Sequence, residues 1–256
     1  MDFITYTLED GIAVVTIENP PVNVMTAEAW SQLDHAFYML SKDKSLRAVV
    51  ITAKCEKNIF VGGSNVKEFL ELDSFTGQRY TERMNGIRFN VYRCPVPVIC
   101  ALNGSAIGGG LGLALMCDYR ITHPDAKFGV GEINMGILGF TQFLAAKVHS
   151  GVARKMVYGG IRLSAEEGYQ TGLIDEVVPK EEVFPRAMEL AKTFAKQSPL
   201  AVRYAKECML KAEEEIFTAK KQQFEDVRLF ELWGTEDQKE AVNAFLEKRE
   251  PNFKCR

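Results

Sequence analysis

One carboxylate stands out by its neighbours. Glu132 lies in Phe128-Gly129-Val130-Gly131-Glu132-Ile133-Asn134-Met135-Gly136-Ile137, among glycines and apolar residues. Burial in such a segment raises a carboxyl pKa, as a base working near neutral pH requires. The alternative is a solvated loop glutamate, and composition alone does not select catalysis over it. Two glycine-bearing turns precede this segment. The first is Phe60-Val61-Gly62-Gly63-Ser64-Asn65-Val66-Lys67-Glu68-Phe69. The second is Asn103-Gly104-Ser105-Ala106-Ile107-Gly108-Gly109-Gly110-Leu111-Gly112-Leu113-Ala114. In both, glycines come just before a predicted helix. Missing Cβ atoms let a ligand approach the backbone, and the first helical N–H groups have no internal partner. Such a terminus directs donors and a positive dipole at an oxygen. The simpler reading of a GGG before a helix is tight helix–strand packing.

Other chemistries fit poorly. No acidic ribose partner follows the GGG at suitable range, so the dinucleotide fingerprint fails, and the phosphate loop G-x-x-x-x-G-K-[ST] is absent. His35, His123 and His149 are scattered, and Ser64 and Ser105 lack a visible base, which argues against a Ser-His-Asp hydrolase. The six cysteines form no C-x-x-C and have no histidines at metal spacing, so no metal site is expected. Cys94, Cys100 and Cys117 sit in apolar runs and read as buried, reduced thiols.

The elements that would position these segments read as α/β. Ile12 to Ile17 is a strand that ends at Asn19-Pro20-Pro21. Thr26 reads as an N-cap for a helix with Trp30, Leu33, Phe37 and Leu40 on its apolar face. Ala48 to Thr52, Val96 to Leu102 and Asp118 to Thr122 are further strands, and their alternation with helices predicts a parallel sheet. Beyond about residue 180 the strand signals stop. Helices are expected over 181–196, 199–212, 213–233 and 236–248. This divides the chain into an α/β core, 1–196, and a helical C-terminal segment, 197–256, without a flexible linker between them.

The chain has 256 residues, 46% of them hydrophobic and 25% charged, with a net charge of −3. A chain of this length buries roughly 70–75% of its unfolded surface and needs no disulfide to fold. The acidic balance gives no support to nucleic-acid or membrane-surface binding. No apolar run of about 20 residues and no signal peptide is recognisable, so the expected compartment is the cytoplasm.

Six segments, in order and spacing, carry a resemblance that covers nearly the whole chain. They are NPPVN at 19–23, FVGGSNVKEF at 60–69, CPVPVICALNGSAIGGGLGLALMCDYRI at 94–121, FGVGEINMGI at 128–137, LSAEEGYQTGLIDEVVP at 163–179 and FLEKREPNF at 245–253. The chain resembles the crotonase (enoyl-CoA hydratase/isomerase) superfamily. The resemblance implies a spiral of ββα units followed by helices used in trimer packing, and a substrate carried as a coenzyme A or acyl-carrier-protein thioester. No cofactor is implied beyond the coenzyme A of the substrate itself. It also implies an oxyanion hole of two backbone N–H groups, at the positions matched by Ser64 and Gly109. Ser64 stands for a more usual alanine and Asn65 for a common aspartate. Gly63, Asn65, Gly108 and Phe140 fall where the thioester would bind, and Lys248 matches a lysine that meets CoA phosphate. Phe143 and Phe230 are further candidates for an acyl pocket.

Hydratases of the superfamily carry two glutamates. One position is Glu132 here; the other, two residues after the GGG, is Gly112. Adding water is served by a pair of acid/base groups, whereas moving a double bond needs one base that takes a proton from C2 and returns it to C4. The resemblance, with Gly112 and a short apolar loop at 136–143, therefore leans toward a Δ3,Δ2-enoyl-CoA isomerase. A glutamate placed at Gly112 would restore the pair and add hydratase activity, unless the glycine is needed for close packing. FLEKREPNF is closer to the hydratases. A hydratase using Glu132 alone, another enolate reaction such as decarboxylation or C–C bond formation, and a non-catalytic CoA-ester binding protein remain the alternatives. Light scattering at micromolar concentration should find a trimer or hexamer; a monomer would remove this assembly and any role for Lys248 across a subunit boundary.

Overall fold

The computed structural model describes residues 3–54, 56–216 and 219–254, without side chains between 214 and 225. Twelve strands are present among them: β1 (Ile4–Glu9), β2 (Ile12–Ile17), β3 (Val24–Met25), β4 (Ala48–Ala53), β5 (Ile59–Val61), β6 (Gly63–Ser64), β7 (Val98–Leu102), β8 (Ser105–Ile107), β9 (Tyr119–Thr122), β10 (Lys127–Gly129), β11 (Leu163–Ser164) and β12 (Glu176–Val177). The helices are α1 (Ala27–Lys42), α2 (Ser74–Tyr92), α3 (Gly109–Leu115), α4 (Thr141–Lys147), α5 (Ser150–Gly159), α6 (Ala165–Gln170), α7 (Val183–Ala195), α8 (Pro199–Ile216), α9 (Ala219–Leu232) and α10 (Glu236–Glu247).

The large sheet runs β1-β2-β4-β7-β9-β12. Only β1 is antiparallel, joined to β2 by the turn Asp10-Gly11, whose residues have φ of 50° and 79°. Asp-Gly with two positive φ values is the hairpin turn whose twist matches the strands. After each of β2, β4, β7 and β9 the chain crosses to a second ladder. There β3 pairs with β6, and β5, β8 and β10 lie parallel with β11 closing the edge. The helical segments after β3, β6, β8 and β10 return the chain for the next pair. This repetition is the spiral of ββα units, and it sets the turns after β6, β8 and β10 next to one another.

The parallel strands are apolar throughout because both faces of the sheet are covered. Val15, Val49, Ile51, Val98 and Cys100 face the main core with α1 to α3, while Ile12, Val50, Ile99, Ala101 and Ile121 face Val183, Ala187 and Ala191 of α7. Thr26 caps α1, accepting from Ala29 N at 3.2 Å, and Trp30, Leu33, Phe37 and Leu40 are buried as their spacing predicts. Asp73 and Thr76 close a reciprocal capping box on α2. Cys94, Cys100 and Cys117 are buried thiols, whereas Cys208 is exposed; Cys55 and Cys255 lie outside the described residues.

Some elements differ from their sequence reading. The turn after Ser64 enters a 3-10 helix, Val66–Glu71, and α3 is only seven residues long. Neither builds a sizeable macrodipole, so their termini act through oriented N–H groups. The long helix read over 213–233 is instead the end of α8 and α9, with 217 and 218 outside the described residues.

The C-terminal helices are tied down by polar contacts. Lys206 of α8 is buried and donates to Asp118 Oδ2 at 2.6 Å and to Val96 O at 2.9 Å; Val98 N donates to the same carboxylate at 2.7 Å. Asp118 is partly exposed, which discounts the pair, but Lys206 is not. Asp118→Ala would strand a buried ammonium and a backbone donor. It should cost about 3 kcal/mol in urea unfolding with an unchanged m-value; a loss below about 1 kcal/mol would mean that water takes over both roles.

Candidate active site

The turn after β5 brings Gly63 to a φ of 111°, which suits glycine, and delivers Ser64 beside the start of α3. Gly108 has φ 54° and ψ −124°, a region closed to residues with a Cβ. Gly112 N donates to Gly108 O, so the geometry of α3 offers no helical acceptor to the N–H of Gly109. The two turns meet closely. A Cβ built on Gly109 would lie 3.6 Å from Ser64 N and 3.0 Å from Ser64 Oγ, and one on Gly63 would lie 3.9 Å from Gly109 N.

Glu132 opens a 3-10 helix, Glu132–Met135, that follows β10. A Cβ on Gly108 would fall 3.0 Å from its Oε1, and one on Gly139 would fall 2.7 Å from its Cγ. The glutamate thus lies against the backbone of both the second turn and the 136–143 loop. Ser64, Gly109 and Glu132 line one pocket, which encloses about 60 Å³ and is walled mainly by Phe69, Met84, Phe143, Leu229 and Trp233. The C-terminal helices both line it and back it. Phe69, Met135, Ile137, Leu229, Trp233 and Val242 form one apolar cluster, and the buried Gln238 donates through Nε2 to Phe69 O at 3.3 Å.

The place of Gly112 is taken. A Cβ there would overlap the ring of Phe140. Phe140 has φ 58°, a left-handed conformation costing an L-residue roughly 1–2 kcal/mol. That backbone turns a buried ring into the notch left by Gly112. The Arg88 guanidinium covers the ring at 4.7 Å from its centroid and lies 5.6 Å from that of Trp30, within cation–π range. A side chain at 112 therefore requires the Phe140 ring to move, so Gly112 is a close-packing glycine as well as a missing carboxylate.

Other expected residues divide. Phe143 lines the pocket, while Phe230 packs against the neighbouring apolar cluster. Asn65 caps the 3-10 helix: its Oδ1 accepts from Lys67 N, and its Nδ2 donates to Glu68 at 3.1 Å. Lys248 is the exposed C-cap of α10 with φ 56°, away from the residues lining the pocket. The sequence reading missed the α2 wall: Tyr80, Met84 and Arg88 share one face at i, i+4 and i+8, a spacing that would have shown them. The Tyr80 ring is held edge-on by Phe69 at 5.8 Å and Trp233 at 5.9 Å. Burial raises its phenol pKa; the Ser64 hydroxyl and Arg88 oppose this, and Glu68 and Glu132 add to it.

The enoyl-CoA hydratase/isomerase family model matches residues 7–256. The chain belongs to this family. Short-chain-enoyl-CoA hydratase of Clostridium acetobutylicum is 33% identical to this member, covering 94% of its chain and 93% of the relative. A probable enoyl-CoA hydratase of Bacillus subtilis is also 33% identical, with 99% of each covered. Among solved structures, Pseudomonas aeruginosa DspI superposes with a TM-score of 0.80 at 30% identity, over 99% of this chain and 97% of that one. The family is enzymatic, and its fold is the crotonase spiral described above. Among the described residues no helix is long and apolar enough to cross a membrane.

For this member the Phe140 plug makes a direct prediction. Gly112→Ala should destabilise by about 1–3 kcal/mol through overpacking. Gly112→Ala/Phe140→Leu should recover part of that loss in thermal unfolding, and purely additive losses would show that the ring does not hold the notch.

Proposed function

We propose that this protein moves a proton at the α-carbon of an enoyl thioester and so migrates its double bond, with Glu132 as the base. The observation that carries the reading is the Phe140 ring in the place of a second acid/base group at Gly112. In this mechanism the thioester oxygen lies between the N–H groups of Ser64 and Gly109. Glu132 takes a proton from C2, the C2–H electron pair enters the conjugated system, and charge collects on the thioester oxygen. Two preformed donors stabilise that charge, each worth about 10²–10³ in rate in comparable sites. The protonated Glu132 then returns its proton to C4, leaving the double bond between C2 and C3. No cofactor enters these steps beyond the coenzyme A of the substrate.

The apolar walls suit an acyl chain and keep water from the dienolate. Leu229 and Trp233 come from the segment 197–256, which supports a role for that segment in closing the site, in addition to trimer packing. Gly63 and Gly108 supply the close approach, and Asn65 fixes the turn beneath it. Lys248 fits a contact to CoA phosphate outside the pocket.

Hydration is the second reading, because relatives with 33% identity are named hydratases. It would need Glu132 to handle water alone. Incubating 2-enoyl- and 3-enoyl-CoA thioesters in deuterated water separates the two. Isomerisation yields 2-enoyl-CoA from 3-enoyl-CoA, with label at C4 to the extent that the Glu132 proton exchanges; hydration yields 3-hydroxyacyl-CoA labelled at C2. The proposed mechanism predicts the first product. Glu132→Gln keeps the shape of the side chain but cannot accept a proton. It should slow α-proton exchange by about 10²–10⁴ while leaving thioester binding little changed. Unchanged exchange in a folded variant would assign the base elsewhere.

A further inference from the structure

The pocket is small for an acyl site. It encloses about 60 Å³. A protein cavity of roughly 150 Å³ is filled by one benzene ring, so this one has room for about two or three carbons. Part of its wall comes from α2 and α9: Thr81, Met84 and Asn85 from the first, Asp226, Leu229 and Trp233 from the second. Two side-chain hydrogen bonds tie these helices together. The Trp233 indole N–H donates to Thr81 Oγ1 at 3.2 Å, and Asn85 Nδ2 donates to Asp226 Oδ1 at 3.0 Å. Trp233 is the largest side chain of this wall, and it has nowhere to retreat. A Cβ on Gly77 would overlap its indole, so the ring already fills the notch that a glycine leaves on α2. Phe69 and Tyr80 meet the ring edge-on at 5.2 and 5.9 Å. One residue on, a Cβ on Gly234 would lie 2.9 Å from Asp73 Cα, so the backbone that carries the ring is also held against the start of α2.

We infer that Trp233 limits the length of the acyl chain, and that the chain accepted has about four carbons, with C1 at the N–H groups of Ser64 and Gly109 and C2 to C4 in the enclosed volume. A longer chain has to move the indole, which breaks its bond to Thr81 and drives it against α2, or has to part Asn85 from Asp226. Met84, with three rotatable bonds, can adapt to a chain. A hydrogen-bonded indole seated in a glycine notch cannot. The inference rests on the thioester reading given above and names the substrate class within it.

The test reads binding and turnover against chain length. Saturated acyl-CoA thioesters from acetyl to decanoyl are titrated by calorimetry, and 3-enoyl-CoA thioesters of four to ten carbons are assayed for double-bond migration. A methylene that the pocket accepts strengthens binding by up to about fourfold. In the unmodified protein the affinity should therefore rise to butyryl and gain nothing beyond it, and kcat/KM should fall by about tenfold or more between four and eight carbons. Trp233→Leu should move both limits outward by about two carbons. Trp233→Phe, the milder change, should move them less and keeps the test open if the leucine variant does not fold. Val242→Ala weakens the same apolar cluster without touching the pocket lining, and should leave both limits in place. A Trp233→Leu variant that loses activity equally at every length would show a merely structural role and overturn the inference. So would a limit moved as far by Val242→Ala, or an unmodified protein that treats octanoyl and butyryl chains alike. If the thioesters bind and react without regard to length, only the role of Trp233 is wrong. If none binds more tightly than coenzyme A and none reacts, the functional reading beneath it is wrong as well.

Discussion

The carbonyl oxygen of Val61 fills the space where a side chain on Gly110 would begin. This contact between β5 and the first turn of α3 is the constraint on which the site depends. With any Cβ at 110 the helix would stand off the strand, and the turn after β6 would no longer meet the turn after β8. Ser64 N and Gly109 N come together because a strand and a helix touch through bare backbone. The large sheet supplies the rigidity behind this. Its parallel strands are packed on both faces, so the turns that leave them have little freedom to drift.

A second dependence runs through the proposed base. Glu132 sits on a short 3-10 turn between the bare backbones of Gly108 and Gly139. That turn leans on Gln238 of α10: a Cβ on Gly136 would lie 2.8 Å from Gln238 Cα. Gln238 also reaches the Phe69 carbonyl on the turn after Ser64. Gln238, through its backbone on one side and its amide on the other, therefore links the segment that carries the carboxylate to the segment that carries one proposed donor. The boundary drawn at residue 196 separates the α/β part from the helices that follow it, but the pocket takes walls from both sides of it.

What was legible in the sequence follows from how far each signal reaches along the chain. Val-Val-Ile in β4 and the Thr26 cap with its apolar stripe are local patterns, and both elements form as read. Strands of two residues, such as β3, β6 and β11, have no period to detect; they exist because the spiral lays β3 beside β6 and β11 beside β10. Glu132 and the two glycine turns were recognisable because their residue types are unusual in context. Tyr80 and Arg88 were not singled out, since a tyrosine and an arginine on a helix are ordinary until the fold places both on the pocket wall and Arg88 over the Phe140 ring. Gly112 was read as a missing carboxylate and as a glycine open to close packing; what packs there, the ring of Phe140 on a left-handed backbone, shows only in the fold.

The use of main-chain N–H groups has a consequence for how this protein can change over generations. A backbone donor survives nearly every substitution at its own position; at Ser64 and Gly109 only proline would delete it outright. The proposed recognition of a thioester oxygen is thereby insulated from mutation, while the acid/base equipment around it consists of single side chains open to exchange. Phe140 and Gly112 are such a pair, with ring and notch fitted to each other. A larger residue at 112 meets the ring, so a change at one position is coupled to a change at the other.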